Sequence, residues 1–349
     1  MSFFLFDDAY AYSLRLLAAA LLVSLAGCAT RPTSAVLQPV AIGQDNNQNV
    51  TLLAVTNRDR IPQENGFGSQ WSQRVSYEGY NFSVPSKRDG VADVTRSEKF
   101  DGTVAVFVHG YNYSYQEALF RTAQMAADAN NLASPVMFSW PSAASVTGYV
   151  GDRDAALASR TELDDLLKAL SKEPRIKRII LLGHSMGGFL SMEAARQLKL
   201  QGRDDVIAKL QIVLAAPDID LDVFMTQLRD LGRTPTPVTL LVSKSDGALS
   251  VSSFVGGERP RVGLLDINDP LIQQAAKAEH VQVIDISSLE SSDGLGHDRY
   301  ASLAKFSGDI LKADAKMKTS GGNIGAFVFD AAGAAVASPF RLAGALSRR

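Results

Sequence analysis

The sequence predicts a protein of the α/β class, a mostly parallel sheet with helices on both faces and an antiparallel strand pair at its start. Three observations carry that expectation. The 349 residues are 46% hydrophobic and 21% charged, which suits a globular chain able to bury a large core. From residue 103 onward, short apolar runs alternate with helical patterns, the arrangement that builds a parallel sheet covered on both faces. Ahead of them, "VTLLAVTNR" and "RVSYEGYNFSVP" are rich in β-branched and aromatic residues and bounded by turn formers, so they read as an opening antiparallel pair.

The first residues read as a leader rather than as part of the fold. "LLAAALLVSL", residues 16–25, is too short for an ordinary membrane span and is followed by small residues, as in an exported signal peptide. It runs into "LAGC", which resembles the lipobox of bacterial lipoproteins. That resemblance implies cleavage before Cys28 and a diacylglyceryl group on its thiol. Cys28 is the one cysteine in the chain, so an intramolecular disulfide is excluded. The expected organisation is a signal peptide over 1–27, a polar tether over 28–49, one α/β domain over 50–318 and a low-complexity C-terminal tail over 319–349. Ala29 lacks the aspartate that resembles an inner-membrane retention signal. The expected location is therefore the cell envelope, lipid-anchored at the periplasmic side of the outer membrane in a Gram-negative cell.

Within the domain the elements follow one another regularly. "TVAVFVHG" is a strand, and "SYQEALFRTAQMAAD" a helix with Ser114 and Glu117 in capping-box spacing. "SPVMFSWPS" is the next strand. "DRDAALASRTELDDLLKAL" is a helix with Leu157, Leu163, Leu166, Leu167 and Leu170 mostly on one face. "KRIILLGHS", "LQIVLAAPD", "PVTLLVSKSD" and "VQVIDISS" are further strands, "MGGFLSMEAARQL" is a helix, and "HDRYASLAKFSGDILKAD" is the last helix. Pro217 and Val238 are close enough in sequence to leave room only for a short helix and a turn, so a bulky lid is not expected there. The tail, "GGNIGAFVFDAAGAAVASPFRLAGALSRR", is small, apolar and Gly-rich, with Asp330 and Pro339 breaking any spanning helix. It reads as a disordered or membrane-touching segment.

The polar motifs sit after the carboxyl ends of strands, where open α/β sheets place their ligands. Gly183-His184-Ser185-Met186-Gly187 fits G-x-S-x-G between a strand and a helix, the context that makes this short motif meaningful. A sharp turn there would expose the Ser185 hydroxyl, and the following helix would aim its N-terminal N–H groups at the site. A serine needs a base, and the chain has four histidines. His109 belongs to the "HGYN" loop, His184 adjoins Ser185 with its side chain expected to point elsewhere, and His280 precedes its strand. His297, in the glycine-flanked "DGLGHDRY", is left as the base. For the acid, Asp246 gives the order Ser, Asp, His along the chain, while Asp218 lies one strand earlier. Either aspartate could instead be a helix cap or turn former. The expected oxyanion donors are the backbone N–H groups of Met186 and of Tyr111, in the loop after "VFVHG".

Taken together, "VFVHGYN", "FSWPS", "GYVGDRDAALASR", "LLGHSMGG", "LAAPDID" and "GHDRY" resemble the α/β-hydrolase superfamily, specifically a bacterial esterase- and lipase-like family, from about Thr51 to about Ala313. "TNR" near residue 56 also fits it. The resemblance implies a hydrolase fold acting through Ser185 and His297, and leaves Trp140 and Pro141 as scaffold. The expected activity is hydrolysis of carboxylic esters with short acyl groups. A peptidase or thioesterase using the same residues, or a catalytically silent binding module in the envelope, are the alternatives. No cofactor or metal is expected, since the histidines are scattered and the cysteine lies at the leader's end. A net charge of −2 without a basic stripe gives no reason to expect nucleic acid.

Overall fold

The computed structural model describes residues 50–60, 67–81, 91–95, 100–130, 133–306 and 327–328. The expected leader, the lipidation site Cys28 and the tether lie outside the described residues, as does all of the expected tail except Phe327–Val328.

The strands are β1 (Thr51–Arg60), β2 (Phe67–Asn81), β3 (Thr103–Val108), β4 (Ser134–Ser139), β5 (Arg178–His184), β6 (Leu210–Ala215), β7 (Val238–Val242), β8 (Val281–Asp285) and β9 (Phe327–Val328). They form one sheet in the order β2-β1-β4-β3-β5-β6-β7-β8-β9. Among the described strands only β1 and β2 pair antiparallel, and every other neighbouring pair is parallel. The helices are α1 (Tyr115–Asp128), α2 (Tyr149–Ala158), α3 (Arg160–Lys172), α4 (Met186–Leu200), α5 (Asp204–Ile207), α6 (Leu221–Leu231), α7 (Gly247–Val255) and α8 (Pro270–Ala278). Among the described residues no helix is long and apolar enough to cross a membrane.

The core follows from the sequence texture. β3, β4, β5 and β7 are apolar runs whose side chains are largely buried on both faces, as expected of strands inside a parallel sheet. On one face, Leu163, Leu166, Leu167 and Leu170 of α3 pack with Leu190, Ala194 and Leu198 of α4 and with strand residues such as Val106, Ile179 and Leu181. On the other face, Tyr115, Leu119 and Ala123 of α1 meet Leu52, Ala54 and Met137. Helix α1 starts at the expected capping box: the Ser114 hydroxyl accepts from Glu117 N at 3.2 Å, and the Glu117 carboxylate accepts from Ser114 N at 2.7 Å.

Three segments differ from the sequence expectation. The helix read across residues 152–170 is divided, with Ser159 at the joint between α2 and α3. The Ser159 hydroxyl donates back to Ala155 O at 2.8 Å and accepts from Asn57 Nδ2 of β1 at the same distance, which ties the joint to the sheet. The last helix begins as a 3₁₀ segment over Arg299–Phe306, and the rest of its expected span lies outside the described residues. Within the expected tail, Phe327–Val328 pair in parallel with Ile284 and Asp285 of β8.

Register decides where the site can be. Val108 at the end of β3 pairs with Gly183 of β5, and His184 pairs with Ala215 of β6. The loops after β3, β5 and β6 therefore emerge side by side. Val242 pairs with Asp285, so the loops after β7 and β8 leave the same edge.

Candidate active site

Ser185 sits between β5 and α4 with φ 53° and ψ −119°. That left-handed backbone is costly for a residue with a Cβ, of the order of 1–3 kcal/mol, and survives only where the surroundings enforce it. They do so through close packing. The Ser185 N–H donates to Ala215 O at 2.9 Å, and its carbonyl accepts from Gly188 N at 2.9 Å and Asp218 N at 3.2 Å. A Cβ on Gly187 would lie 2.2 Å from Val108 O, so only glycine lets the start of α4 press against the end of β3. A Cβ on Gly110 would lie 2.9 Å from Ser185 Cβ, which puts the loop after β3 directly against the serine. Met186 is the first residue of α4, so its N–H is one of the helix's unpaired N-terminal donors.

The structure separates the two candidate aspartates. Asp246 Oδ2 accepts from His297 Nδ1 at 2.7 Å, while its Oδ1 accepts from Leu249 N at 3.0 Å and caps α7. The cap and the histidine partner, alternatives in the sequence, are two oxygens of one carboxylate. Asp218 is committed elsewhere. It lies 3.2 Å from Arg261 Nε and accepts from Ser252 Oγ at 2.5 Å and Tyr149 Oη at 2.9 Å. The Asp246 carboxylate is buried, and the His297 imidazole is partly so. Burial alone would lower the His297 pKa; the Asp246 hydrogen bond and charge outweigh it, and the net shift is upward.

His184 does not point away from the site as expected. Its ring lies beneath His297, with centroids 4.6 Å apart, and stacks on Tyr300 at 4.2 Å. Its Nε2 is 3.3 Å from His297 O, which can only accept, so Nε2 carries the proton. Burial first, and the nearby His297 second, push its pKa well down. His280 lies just before β8, at the opposite end of that strand from the His297 loop, and takes no part. The His297 loop is pinned by Asp298, which accepts from Ser291 Oγ at 2.6 Å, Ser292 N at 2.9 Å, Asp293 N at 3.3 Å and Arg121 at 3.2 Å.

The loop bearing Tyr111 is held by side chains from the strings "TNR", "FSWPS" and "GYVGDRDAALASR", to which the sequence alone assigned no role. Asn112 N donates to Asp152 Oδ2 at 3.2 Å, and Tyr113 N to Ser142 Oγ at 3.2 Å. Ser142 Oγ in turn donates to Asp152 at 2.5 Å. Behind them lies Arg58, 2% exposed, which donates to the carbonyls of Gly68, Ser142 and Tyr113 and to Ser139 Oγ, at 2.9–3.0 Å. Burial lowers its pKa to about 10, which leaves it charged at neutral pH. Arg58 is the arginine of the "TNR" string, and it follows the apolar run "LLAV" in a strand that the sheet makes internal. Trp140 is fully buried and donates its indole N–H to His109 O at 2.8 Å, a scaffold role as expected.

Among the described residues no cluster of three or more His, Cys, Asp or Glu side chains is placed to hold a metal. Residues 86–313 match the family model described as "Alpha/beta hydrolase of unknown function (DUF900)". The chain belongs to this α/β-hydrolase family. Similar solved structures include a thermostable esterase from Pseudomonas putida, 15% identical, covering 87% of this chain and 94% of that one with a TM-score of 0.40. An esterase from Pyrobaculum calidifontis is 13% identical over 65% and 79% of the two chains, TM-score 0.34. One described with two fungal esterases from Rhizomucor miehei is 16% identical over 65% and 78%, TM-score 0.35. No match was found among curated proteins.

Proposed function

We propose that this α/β hydrolase is a serine hydrolase that cleaves carboxylic esters through an acyl-enzyme on Ser185. The observation that supports the reading is the strained Ser185 backbone between β5 and α4, next in the chain to His184, whose ring lies 4.6 Å from that of His297, a histidine with its Nδ1 2.7 Å from a buried aspartate. The Ser185 oxygen attacks the ester carbonyl carbon as His297 Nε2 takes its proton. The carbonyl oxygen becomes the oxyanion and accepts from the N–H groups of Met186 and Tyr111. Collapse breaks the bond to the alcohol oxygen, which takes the proton from His297. Water then repeats the sequence and releases the acid, restoring the serine.

The size of the acyl group follows from what surrounds the site. Between β6 and β7 there is only the 11-residue α6, so no bulky element from that connection covers the serine. Of the apolar residues after Asp246, Leu249 is buried, while Phe254 and Val255 are 42% and 56% exposed. Each methylene buried contributes about 0.8 kcal/mol, and an open rim of this kind collects few of them. Short acyl groups are the proposed substrates. The proposed anchor is a lipid on Cys28, holding the enzyme at the periplasmic side of the outer membrane.

The test is labelling with a fluorophosphonate. The wild-type protein is expected to react at Ser185 and to hydrolyse p-nitrophenyl acetate, and Ser185→Ala to do neither while keeping its fold. Undiminished turnover in the variant overturns the serine mechanism. A peptide or thioester turned over in preference to every oxygen ester would move the proposal to another acyl-transfer class.

A further inference from the structure

The oxyanion donor expected at Tyr111 is the N–H of the Gly110–Tyr111 peptide, and the carbonyl of that same peptide is not free. Gly110 O lies 2.8 Å from His109 Nδ1. A carbonyl oxygen only accepts, so Nδ1 must carry the proton. The other end of the ring gives the same answer independently. Arg58 Nε can only donate, and it donates to Ser139 Oγ at 2.9 Å. The Ser139 hydroxyl still has its proton to give, and its other neighbour is His109 Nε2 at 3.1 Å. Arg58 Nη2, which can only donate, lies 3.4 Å from the same nitrogen, so Nε2 is the acceptor. Imidazole has two nitrogens, and both ends of the network fix the same tautomer.

We infer that His109 is a positioning residue for ester hydrolysis: it aims and polarises the Gly110–Tyr111 peptide so that the Tyr111 N–H meets the oxyanion, with Arg58 and Ser139 fixing its tautomer. The inference rests on the serine-hydrolase reading of Ser185. A hydrogen bond accepted at a peptide carbonyl draws charge through the conjugated amide and makes its N–H a better donor, and linked hydrogen bonds reinforce one another where the local dielectric is low. The ring is suited to the work. His109 is fully buried, between Trp140 with centroids 4.9 Å apart and Tyr113 at 5.6 Å, so it cannot rotate away. Burial first, and the Arg58 charge second, lower its pKa to about 3, so it stays neutral at neutral pH. The arrangement also accounts for a charged Arg58 behind the site, where an apolar residue would pack at less desolvation cost.

His109→Phe keeps the flat ring between Trp140 and Tyr113 and removes the donor, whereas His109→Asn retains an N–H close to the position of Nδ1. His109→Phe is expected to lower kcat for p-nitrophenyl acetate by about ten- to a hundredfold with KM changed less than about twofold. Loss of a whole oxyanion donor, about 10²–10³, is the ceiling. The rate of fluorophosphonate labelling of Ser185 falls by a similar factor, since the phosphonyl oxygen occupies the same place. His109→Asn is expected to recover most of both losses, which restored packing alone would not achieve. In the wild-type protein, ¹⁵N NMR is expected to show His109 protonated at Nδ1 and not titrating from about pH 5 to 9.

An Nε2-protonated His109, a Phe variant labelled at the wild-type rate, or an Asn variant no better than Phe each overturns the inference. Should the Phe variant not fold, the tautomer and the Asn variant decide. Absence of labelling in the wild-type protein instead removes the reading of Ser185 on which the inference depends.

Discussion

Asp246→Asn is the sharpest single test of the site, because the structure assigns each oxygen of that carboxylate a separate task. Oδ1 caps α7 through Leu249 N at 3.0 Å, and Oδ2 holds His297 Nδ1 at 2.7 Å. Asparagine keeps the cap, since its one carbonyl oxygen can still accept from Leu249 N, and asparagine is as good an N-cap as aspartate. Its amide N–H₂ then faces His297 and can only donate. Nδ1 becomes an acceptor, the ring proton moves to Nε2, and the nitrogen that should take the serine proton is already protonated. Substitution of this kind in a Ser-His-Asp site costs about 10⁴ in kcat, or about 5.4 kcal/mol at 1.36 kcal/mol per decade. Asp218→Asn is the control. It leaves the His297–Asp246 bond in place but unpairs the buried Arg261, which costs about 3–5 kcal/mol of stability and, at about 2–4 °C per kcal/mol, lowers Tm by about 6–20 °C. Per folded molecule its kcat is expected to fall less than tenfold. Ester hydrolysis normalised to fluorophosphonate-reactive sites, with thermal melts of both variants, reads the two effects. A melt collapse in Asp246→Asn with a near-native rate, or the large rate loss in Asp218→Asn, would refute the assignment.

The remaining predictions concern pH, the Tyr111 loop, chain length and anchoring. The base must be neutral, so kcat/KM is expected to rise with pH to a midpoint above the ordinary imidazole value of about 6.5. In Asp246→Asn the midpoint of the residual activity moves downward, because burial is then the largest remaining influence. The linkage has a definite sign. A histidine whose folded pKa is raised contributes stability in full below its unfolded pKa and loses it as pH rises through the folded one, so Asp246→Asn should lower Tm more at pH 5 than at pH 9. Asp152→Asn is expected to lower kcat more than it raises KM, since Asp152 is buried and holds the Tyr111 loop; equal effects on both would contradict this. Along an acyl-length series, kcat/KM is expected to peak at short chains, and a steady rise through long chains would overturn the open-rim argument. Cys28→Ser is expected to abolish lipid incorporation and release the protein from the membrane fraction, and a mature N-terminus elsewhere than residue 28 would defeat the anchor.

What could be read in the sequence was what local chemistry dictates. The Gly183–Gly187 string between a strand and a helix needs no tertiary information to suggest a sharp turn at Ser185, and the structure has it there with a positive φ. Buried strands such as "RIILLGH" and the capping box at Ser114 are equally local signals. What could not be read depends on register. An aspartate after a strand looks the same whether it meets a histidine or an arginine, and only the pairing of β7 with β8 brings Asp246 rather than Asp218 to His297. The division at Ser159 likewise depends on Asn57, more than a hundred residues earlier, reaching the joint from β1. The surroundings of His184 are equally non-local: its neighbours His297 and Tyr300 come from the segment after β8, with β6 and β7 in between.

The site stands on loops, which are usually the more mobile parts of a domain, and yet acyl transfer needs donors placed to within about half an ångström. Each of the loops concerned is held by one buried carboxylate. Asp152 gathers Asn112 N, Ala143 N and Ser142 Oγ; Asp246 gathers Leu249 N and His297; Asp298 gathers donors from Ser291 to Asp293 together with Arg121. Each carboxylate has several lone pairs to satisfy and is largely shielded from water, so the loop that satisfies it has few other conformations open to it. Arg58 reverses the polarity: one guanidinium draws in the carbonyls of three segments, from Gly68, Tyr113 and Ser142. Because Arg121 leaves α1, the helix that follows the Tyr111 loop, and pairs with Asp298 beside His297, the Tyr111 loop and the His297 loop are fastened to each other as well as to the sheet. Movement of either loop would break a charge-assisted bond in a partly buried place, and on the proposed mechanism that coupling would hold Ser185, His297 and the Tyr111 N–H in one arrangement before a substrate arrives.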